Sequence, residues 1–281
     1  MSTTYSDRSA PGSLLTWHHK KKFYNTVIMD DQESIKKCAN LVFQQIPRVS
    51  VVIPAKNEAL NLPYVLPKIP GWVDEVILVD GYSNDGTGDV ARLLLPEIRI
   101  IAQEGRGKGA ALRTGFAAAT GDIVVMLDAD GSTDPQEIPV FVGALLGGAD
   151  YVKGSRFLQG GGTSDMSIIR RWGNRIFVMV TNLVFGSHYS DLCFGYNAFW
   201  SWVLPHLNLQ SAGFEIETEM NLQALRADLR VVEVPSYESR RIFGKSNLNT
   251  FRDGWRVLLT ILRHRLQMPE SGLSVLVSDV E

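Results

Sequence analysis

The chain has 281 residues, 45% of them apolar and 21% charged; that supplies a full-sized core and excludes a disordered or low-complexity polymer. With 28 basic and 30 acidic side chains the net charge is −2, so no global field draws the chain to nucleic acid. Cys38 and Cys193, far apart in sequence, fit neither a disulfide framework nor a zinc spacing and read as reduced thiols of a cytoplasmic protein.

Residues 1–47 read as an N-terminal extension. Met1 to Pro11 is polar, and Trp17-His18-His19-Lys20-Lys21-Lys22 forms a small basic and aromatic cluster. That cluster suits an anionic surface or a solvated tail, and its histidines lack partners at metal-ligand spacing. From Asp30 to Gln45 the apolar residues Ile35, Ala39, Val42 and Phe43 recur at helical spacing behind acids, which predicts an amphipathic helix.

From Arg48 the pattern changes. Four short apolar runs, Val49–Ile53, Glu75–Asp80, Ile98–Ile101 and Asp122–Leu127, alternate with helix-length segments Leu60–Lys68, Gly88–Leu95 and Lys108–Ala119. Apolar strands alternating with helices predict an α/β fold, a doubly wound, mostly parallel sheet with helices on both faces. Ligands of such sheets bind beyond the carboxyl ends of the strands. Further on, Ile176–Phe185 is broken by Thr181 and Asn182 and is far short of the ~20 residues of a membrane span. Residues 267–281 read as a mobile tail.

The strand ends are polar and acidic. Strand one ends Pro54-Ala55-Lys56-Asn57-Glu58, strand two leads into Asp80 to Thr87, and strand four ends Asp128-Ala129-Asp130-Gly131-Ser132. Asp85, just ahead of Thr87 and Gly88, suits a helix cap as well as a ligand contact. Asp128 and Asp130 are different: two carboxylates one residue apart repel unless a cation or protons intervene. A hard divalent ion with oxygen ligands resolves that repulsion and recruits phosphate. The Walker-type phosphate loop and the dinucleotide fingerprint are both missing. The glycine-rich piece is Gly105-Arg106-Gly107-Lys108-Gly109, a candidate anion site ahead of a helix or a flexible connector.

These pieces together resemble a known family. Val-Ile-Pro-Ala-Lys-Asn-Glu at 52–58, Val-Asp-Gly-Tyr-Ser-Asn-Asp-Gly-Thr at 79–87, Gly-Lys-Gly-Ala-Ala at 107–111 and Leu-Asp-Ala-Asp at 127–130 are similar to the inverting family-2 glycosyltransferases with the GT-A fold. Gly154-Ser155-Arg156, Asp191 to Tyr196, Phe214 to Glu217 and Arg241 to Ser246 resemble the polyprenyl-phosphate sugar transferases, with dolichol-phosphate mannose and glucose synthases as model members. The resemblance spans Arg48 to Leu266. It implies that Pro54, Ala55, Glu58, Asp80, Asp85, Lys108, Asp128 and Ala129 handle the nucleotide. It implies a Mg²⁺ or Mn²⁺ on Asp128 and Asp130, with Ser132 where some members carry a glutamine ligand. Arg156 and Arg241 would face phosphate, Arg241 on a closing loop that runs on to Ser246. Asn247 stands where the family usually has lysine.

The expected donor is a nucleotide-diphosphate hexose, and the metal offsets charge on the departing diphosphate. A polyprenyl-phosphate acceptor is already ionised, so Arg156, Arg170, Arg175 and Arg241 would suffice to position it. A hydroxyl acceptor of a small molecule, saccharide or protein needs a base, for which Glu217 and Asp191 are candidates. Arg170, Arg171 and Arg175 lead into an apolar stretch, and Trp255–Leu266 carries a second basic pattern. Both suit peripheral contact with the cytoplasmic membrane face as well as ordinary surface or core helices. A sugar-nucleotidyltransferase would need a glycine-rich loop after strand one, and a non-catalytic nucleotide-binding module would leave the paired aspartates unused. Oligomeric state is not legible.

Overall fold

The structure is a computed structural model that describes residues 46–245 and 248–267. The chain divides into two units, Met1–Ile46 and Pro47–Glu281, and the fold below is that of the second. The expected helix at 30–45, Ser246 and Asn247, and the tail beyond Gln267 lie outside the described residues.

Seven strands form one sheet in the order β3-β2-β1-β4-β7-β5-β8. They are β1 (Val49–Ala55), β2 (Glu75–Asp80), β3 (Arg99–Ala102), β4 (Ile123–Met126), β5 (Tyr151–Ser155), β7 (Asn197–Trp200) and β8 (Val231–Pro235). A small parallel pair, β6 (Gly162–Thr163) and β9 (Tyr237–Glu238), stands apart. Strands β1 to β4 are parallel, and the buried, largely apolar β1, β2 and β4 suit a sheet covered on both faces. β7 runs antiparallel to both β4 and β5. This is the mostly parallel, helix-covered sheet that the sequence predicts.

The helices are α1 (Leu62–Val65), α2 (Thr87–Leu94), α3 (Lys108–Ala118), α4 (Ile138–Leu146), α5 (Ile168–Phe185), α6 (Leu204–Leu207), α7 (Ile216–Arg226) and α8 (Thr250–Leu266). The expected helix over Leu60–Lys68 is cut short: α1 ends at Val65 and a 3₁₀ turn, Leu66–Lys68, follows. Pro67 has no N–H to continue the helical ladder. Alternate residues of β1 feed opposite cores, as a pleated strand dictates. Val51 and Ile53 join Leu62, Leu66, Phe141 and Tyr196 on the face covered by α1, α2 and α4. Val52 joins Leu112, Phe116 and Met220 on the face covered by α3, α6 and α7. Ser50, buried within β1, donates to Glu75 (2.5 Å) and accepts from the Gly121 amide (2.9 Å), so no polar group there is left unpaired.

A third, smaller core joins α5, α7 and α8 through Leu192, Leu222, Val257 and Ile261, with Phe177 and Val178 packed against it. Ser167 caps α5 by accepting from Arg170 N, and Asn249 caps α8 by accepting from Arg252 N. Both helices leave an apolar side uncovered: Ile168, Trp172, Met179 and Leu183 on α5, and Phe251, Trp255, Leu262 and Leu266 on α8 are exposed. Only Asn174 and Thr181 of α5 are buried.

Candidate active site

Parallel registry aligns the carboxyl ends of the first strands: Ala55 pairs with Asp80, and Asp80 with Ala102. A cleft of about 700 Å³ opens along this edge, lined by Pro54, Ala55, Glu58, Lys108, Asp128, Ala129, Asp130 and Arg241 among others. Six cationic side chains (Lys56, Arg106, Lys108, Arg241, Arg252, Arg256) face four acidic ones (Glu58, Asp128, Asp130, Asp253) across it. That excess suits a polyanion.

The acids at the centre are each tied to a cation. Lys108, first residue of α3, donates from Nζ to Asp128 Oδ2 (3.0 Å) and Glu217 Oε1 (2.7 Å), and lies 2.7 Å from Asp128 Oδ1. Burial disfavours its ammonium, but Asp128 and Glu217 outweigh that and hold its pKa above the usual range. Burial pushes the Glu217 carboxyl up; Lys108 opposes this and Asp128 adds to it. The cluster needs Gly195 opposite, since a methyl group there would sit 2.7 Å from Glu217 Oε1 and 2.9 Å from Lys108 Nζ.

Arg241 bridges the other side. It grips Glu58 with Nη2 to Oε1 (2.6 Å) and Nη1 to Oε2 (3.0 Å), and its Nε lies 3.4 Å from Asp130 Oδ2. Burial raises the Glu58 pKa, while Asn61 and Arg241 pull it down. The loop carrying Arg241 is seated over the cleft: Phe243 N donates to Asn61 Oδ1 (2.9 Å), and the Phe243 ring lies 5.9 Å from that of Tyr64. Ser132 donates its hydroxyl to Asp130 Oδ1 (2.6 Å). Among the described residues no group of three His, Cys, Asp or Glu side chains is placed to hold a metal. Asp128 and Asp130 offer oxygen ligands only, a set that fits Mg²⁺ or Mn²⁺.

Other expected residues sit elsewhere. Asp85 accepts from Thr87 N (3.0 Å), Thr87 Oγ1 (2.5 Å) and Ala59 N (3.0 Å) and ties two turns together. Asp80 Oδ1 accepts from Ser83 N (3.2 Å), and its side chain is not part of the cleft wall. The Arg156 side chain is only 2% exposed and Asp191 is fully buried. Arg156 donates to both Asp191 oxygens (2.7 and 2.9 Å) and, through Nη1, to Glu238 Oε2 (3.0 Å). Burial works against ionising Asp191, but the Arg156 charge holds its carboxyl below the usual carboxylate range. Arg175 lies 5.8 Å from the Trp172 ring and off the cavity walls.

A second cavity, of about 340 Å³, adjoins the cleft and shares Phe214 and Asp253 with it. Its walls are mostly apolar (Met166, Ile169, Phe177, Phe251, Trp255, Leu258), with Arg156, Arg170, Asn174 and Glu217 as polar wall residues. Burial pushes the Cys193 thiol there up to about 12. Asn174 escaped the sequence reading. Its Oδ1 accepts from the Leu192 and Cys193 amides (both 3.2 Å), which fixes the amide's orientation, and its buried Nδ2 has no partner. The signal in the sequence is an amide one turn after Arg170 and Arg171 and one turn before the apolar Phe177 and Val178. Arg252 and Arg256 of α8, which also line the larger cleft, announce themselves only as an i, i+4 pair.

The model for glycosyl transferase family 2 matches residues 50–204. The chain belongs to that family. It is a glycosyltransferase, similar to glycosyltransferase AglJ of Haloferax volcanii, with 31% identity over 76% of this chain and 71% of the relative. It is also 30% identical to the undecaprenyl-phosphate mannosyltransferase of Micrococcus luteus, over 72% of this chain and 88% of that one. Among solved structures it resembles Mycobacterium tuberculosis glucosyl-3-phosphoglycerate synthase in complex with Mn²⁺, UDP-glucose and phosphoglyceric acid. The TM-score is 0.63 at 26% identity, covering 80% of this chain and 82% of that one. The same synthase is solved with Mg²⁺ and UDP. No helix among the described residues of this glycosyltransferase is long and apolar enough to cross a membrane.

Proposed function

We propose that this glycosyltransferase moves a hexose from a nucleotide-diphosphate sugar onto a polyprenyl phosphate at a membrane surface. The observation that carries the reading is the apolar cavity beside the donor cleft, with an anion-seeking group in its wall. Arg170 and the unpartnered Asn174 Nδ2 suit phosphate oxygens, and the apolar walls suit a prenyl chain. The named activity of the Micrococcus luteus relative supports the same acceptor.

In this reading a phosphate oxygen of the acceptor bonds to the sugar's anomeric carbon as the bond to the diphosphate oxygen breaks. Asp128 and Asp130 would hold a Mg²⁺ or Mn²⁺, which supplies Lewis-acid neutralisation of the departing diphosphate. Lys108, Arg241, Arg252 and Arg256 add fixed positive charge around the same group. An acceptor already ionised needs no base, so Glu217 keeps Lys108 in place. The arginines and exposed apolar side chains of α5 and α8 would rest on an anionic bilayer and present the cavity to its lipids.

The test is transfer from UDP- and GDP-hexoses with Mn²⁺, comparing polyprenyl phosphate in micelles with soluble acceptors including 3-phosphoglyceric acid. Transfer to the prenyl phosphate is expected. Asn174→Asp keeps both backbone bonds but turns the donor into an acceptor, so it should raise KM for prenyl phosphate and leave the KM for sugar nucleotide unchanged. Transfer only to a soluble hydroxyl, lost in Glu217→Gln, would replace this reading with base-assisted transfer.

A further inference from the structure

The cleft extends well past the phosphate-handling end. Gln103, the residue after β3, lines its far side together with Gly81 and Tyr82. In the order β3-β2-β1-β4, Gln103 and Asp128 lie three strand spacings apart, about 14 Å, the reach of an extended nucleoside diphosphate. Gln103 is 93% buried, being 7% exposed, and it is held firmly. Its N–H donates to Asp80 O (3.0 Å), its carbonyl accepts from the Tyr82 hydroxyl (3.2 Å), and its Nε2 donates to Gly107 O (2.9 Å). A flipped amide would set two carbonyl oxygens against each other at Gly107, so the orientation is fixed.

What is left over is Oε1. No donor among the described residues reaches it, and Gln103 lines the cleft, so this oxygen is left to accept a hydrogen bond from whatever the cleft holds. It lies against the bare Cα of Gly81, where a methyl group would sit 2.8 Å away. Gly81 therefore clears the approach to this oxygen.

We infer that Gln103 reads the nucleobase, accepting a hydrogen bond from a ring N–H, so that the donor carries uracil, thymine or guanine. Adenine and cytosine present a lone pair at the corresponding ring nitrogen and would face Oε1 with repulsion. The inference rests on the donor-cleft reading and deepens it. Asp80, by contrast, has an oxygen engaged with the Ser83 amide and stands off the cleft wall.

Calorimetry of the full chain with Mn²⁺ and UDP, TDP, GDP, CDP and ADP tests this. The ring-N–H nucleotides are expected to bind at least about tenfold more tightly than CDP and ADP, the scale of one buried hydrogen bond. Gln103→Leu should erase that preference while leaving Mn²⁺-pyrophosphate binding unchanged. Because Gln103→Leu also frees Gly107, ring-N-methylated UDP and GDP provide the same test on the unaltered protein, with an expected loss of about tenfold. Equal binding of methylated and unmethylated nucleotides, or of all five bases, overturns the role of Gln103 alone. Pyrophosphate binding would then persist. If none of the nucleotides nor pyrophosphate binds, the donor-cleft reading falls and this inference falls with it.

Discussion

The donor cleft and the apolar cavity share a wall but are built differently. Along the β1–β4 edge, the polar side chains lie at or just beyond the ends of buried strands. Register fixes their spacing, and the cores on either face hold the strands still. Along α5 and α8, the cavity is walled by side chains of two helices that share only a small core and leave much apolar surface uncovered. Sites on strand termini keep distances; sites between loosely backed helices can adapt to long, flexible chains. Between them stands the buried Arg156–Asp191–Glu238 group, which joins the β5 end to the β7 approach and to β9.

The largest effect should come from that junction. Asp191→Asn leaves Arg156 buried with Glu238 as its remaining carboxylate, and breaking such a pair is expected to cost about 3 kcal/mol of stability. The pKa of Asp191 is lowered on folding. Its contribution is therefore present above the ordinary carboxylate range and is lost as pH falls through the lowered value. Urea titrations should show the gap between wild type and Asp191→Asn narrowing on acidification. A variant of full stability but no turnover would break the comparison, because Arg156 would then belong to acceptor binding and not to the scaffold.

Next comes the donor side alone. Asp130→Ala should leave the fold intact and reduce turnover at least ~100-fold, the loss expected when a main electrostatic contact disappears, and EDTA should abolish activity. Because Asp130 holds the Arg241 loop and Ser132, a circular-dichroism melt of the variant checks that the loss is chemical. Full activity in Asp130→Ala would remove the metal from the mechanism.

The donor half was far more legible in the sequence than the rest, and the reason is physical. Val51–Ile53 and Ile123–Leu127 are continuous apolar runs, and a parallel strand buried on both faces leaves that imprint. Once the strands are placed, the residues after them are cleft residues by topology. Partnerships that cross the fold leave no such imprint. Glu238 meets Arg156 through a two-residue strand far along the chain, so the sequence points Arg156 at phosphate without showing the two carboxylates that hold it. Antiparallel β7 follows a loop and is only four residues long. Asn174 stands out through one buried atom without a partner and Gln103 through an amide pinned to Gly107 O at the cleft wall, and such partnerships are a property of neighbours, not of spacing.

The smallest expected effect separates head group from tail. Phe177 lines the apolar cavity and packs against the small α5–α7–α8 core. Removing an apolar side chain forfeits its contact with whatever fills the cavity, and each buried CH₂ of a prenyl chain contributes about 0.8 kcal/mol. Phe177→Ser should therefore raise KM for a long-chain prenyl phosphate about tenfold, the equivalent of losing about 1.4 kcal/mol. A short-chain phosphate, which ends before it reaches Phe177, should be turned over almost as before, with an unchanged KM for the sugar nucleotide. Some loss of thermal stability is expected too, because Phe177 belongs to a core, and it should affect both acceptors alike. The ratio of the two acceptor KM values is thus the quantity to follow. A ratio unmoved by Phe177→Ser would mean the chain runs outside this cavity, along the exposed faces of α5 and α8. The donor cleft would keep its assignment, and the cavity would lose its own.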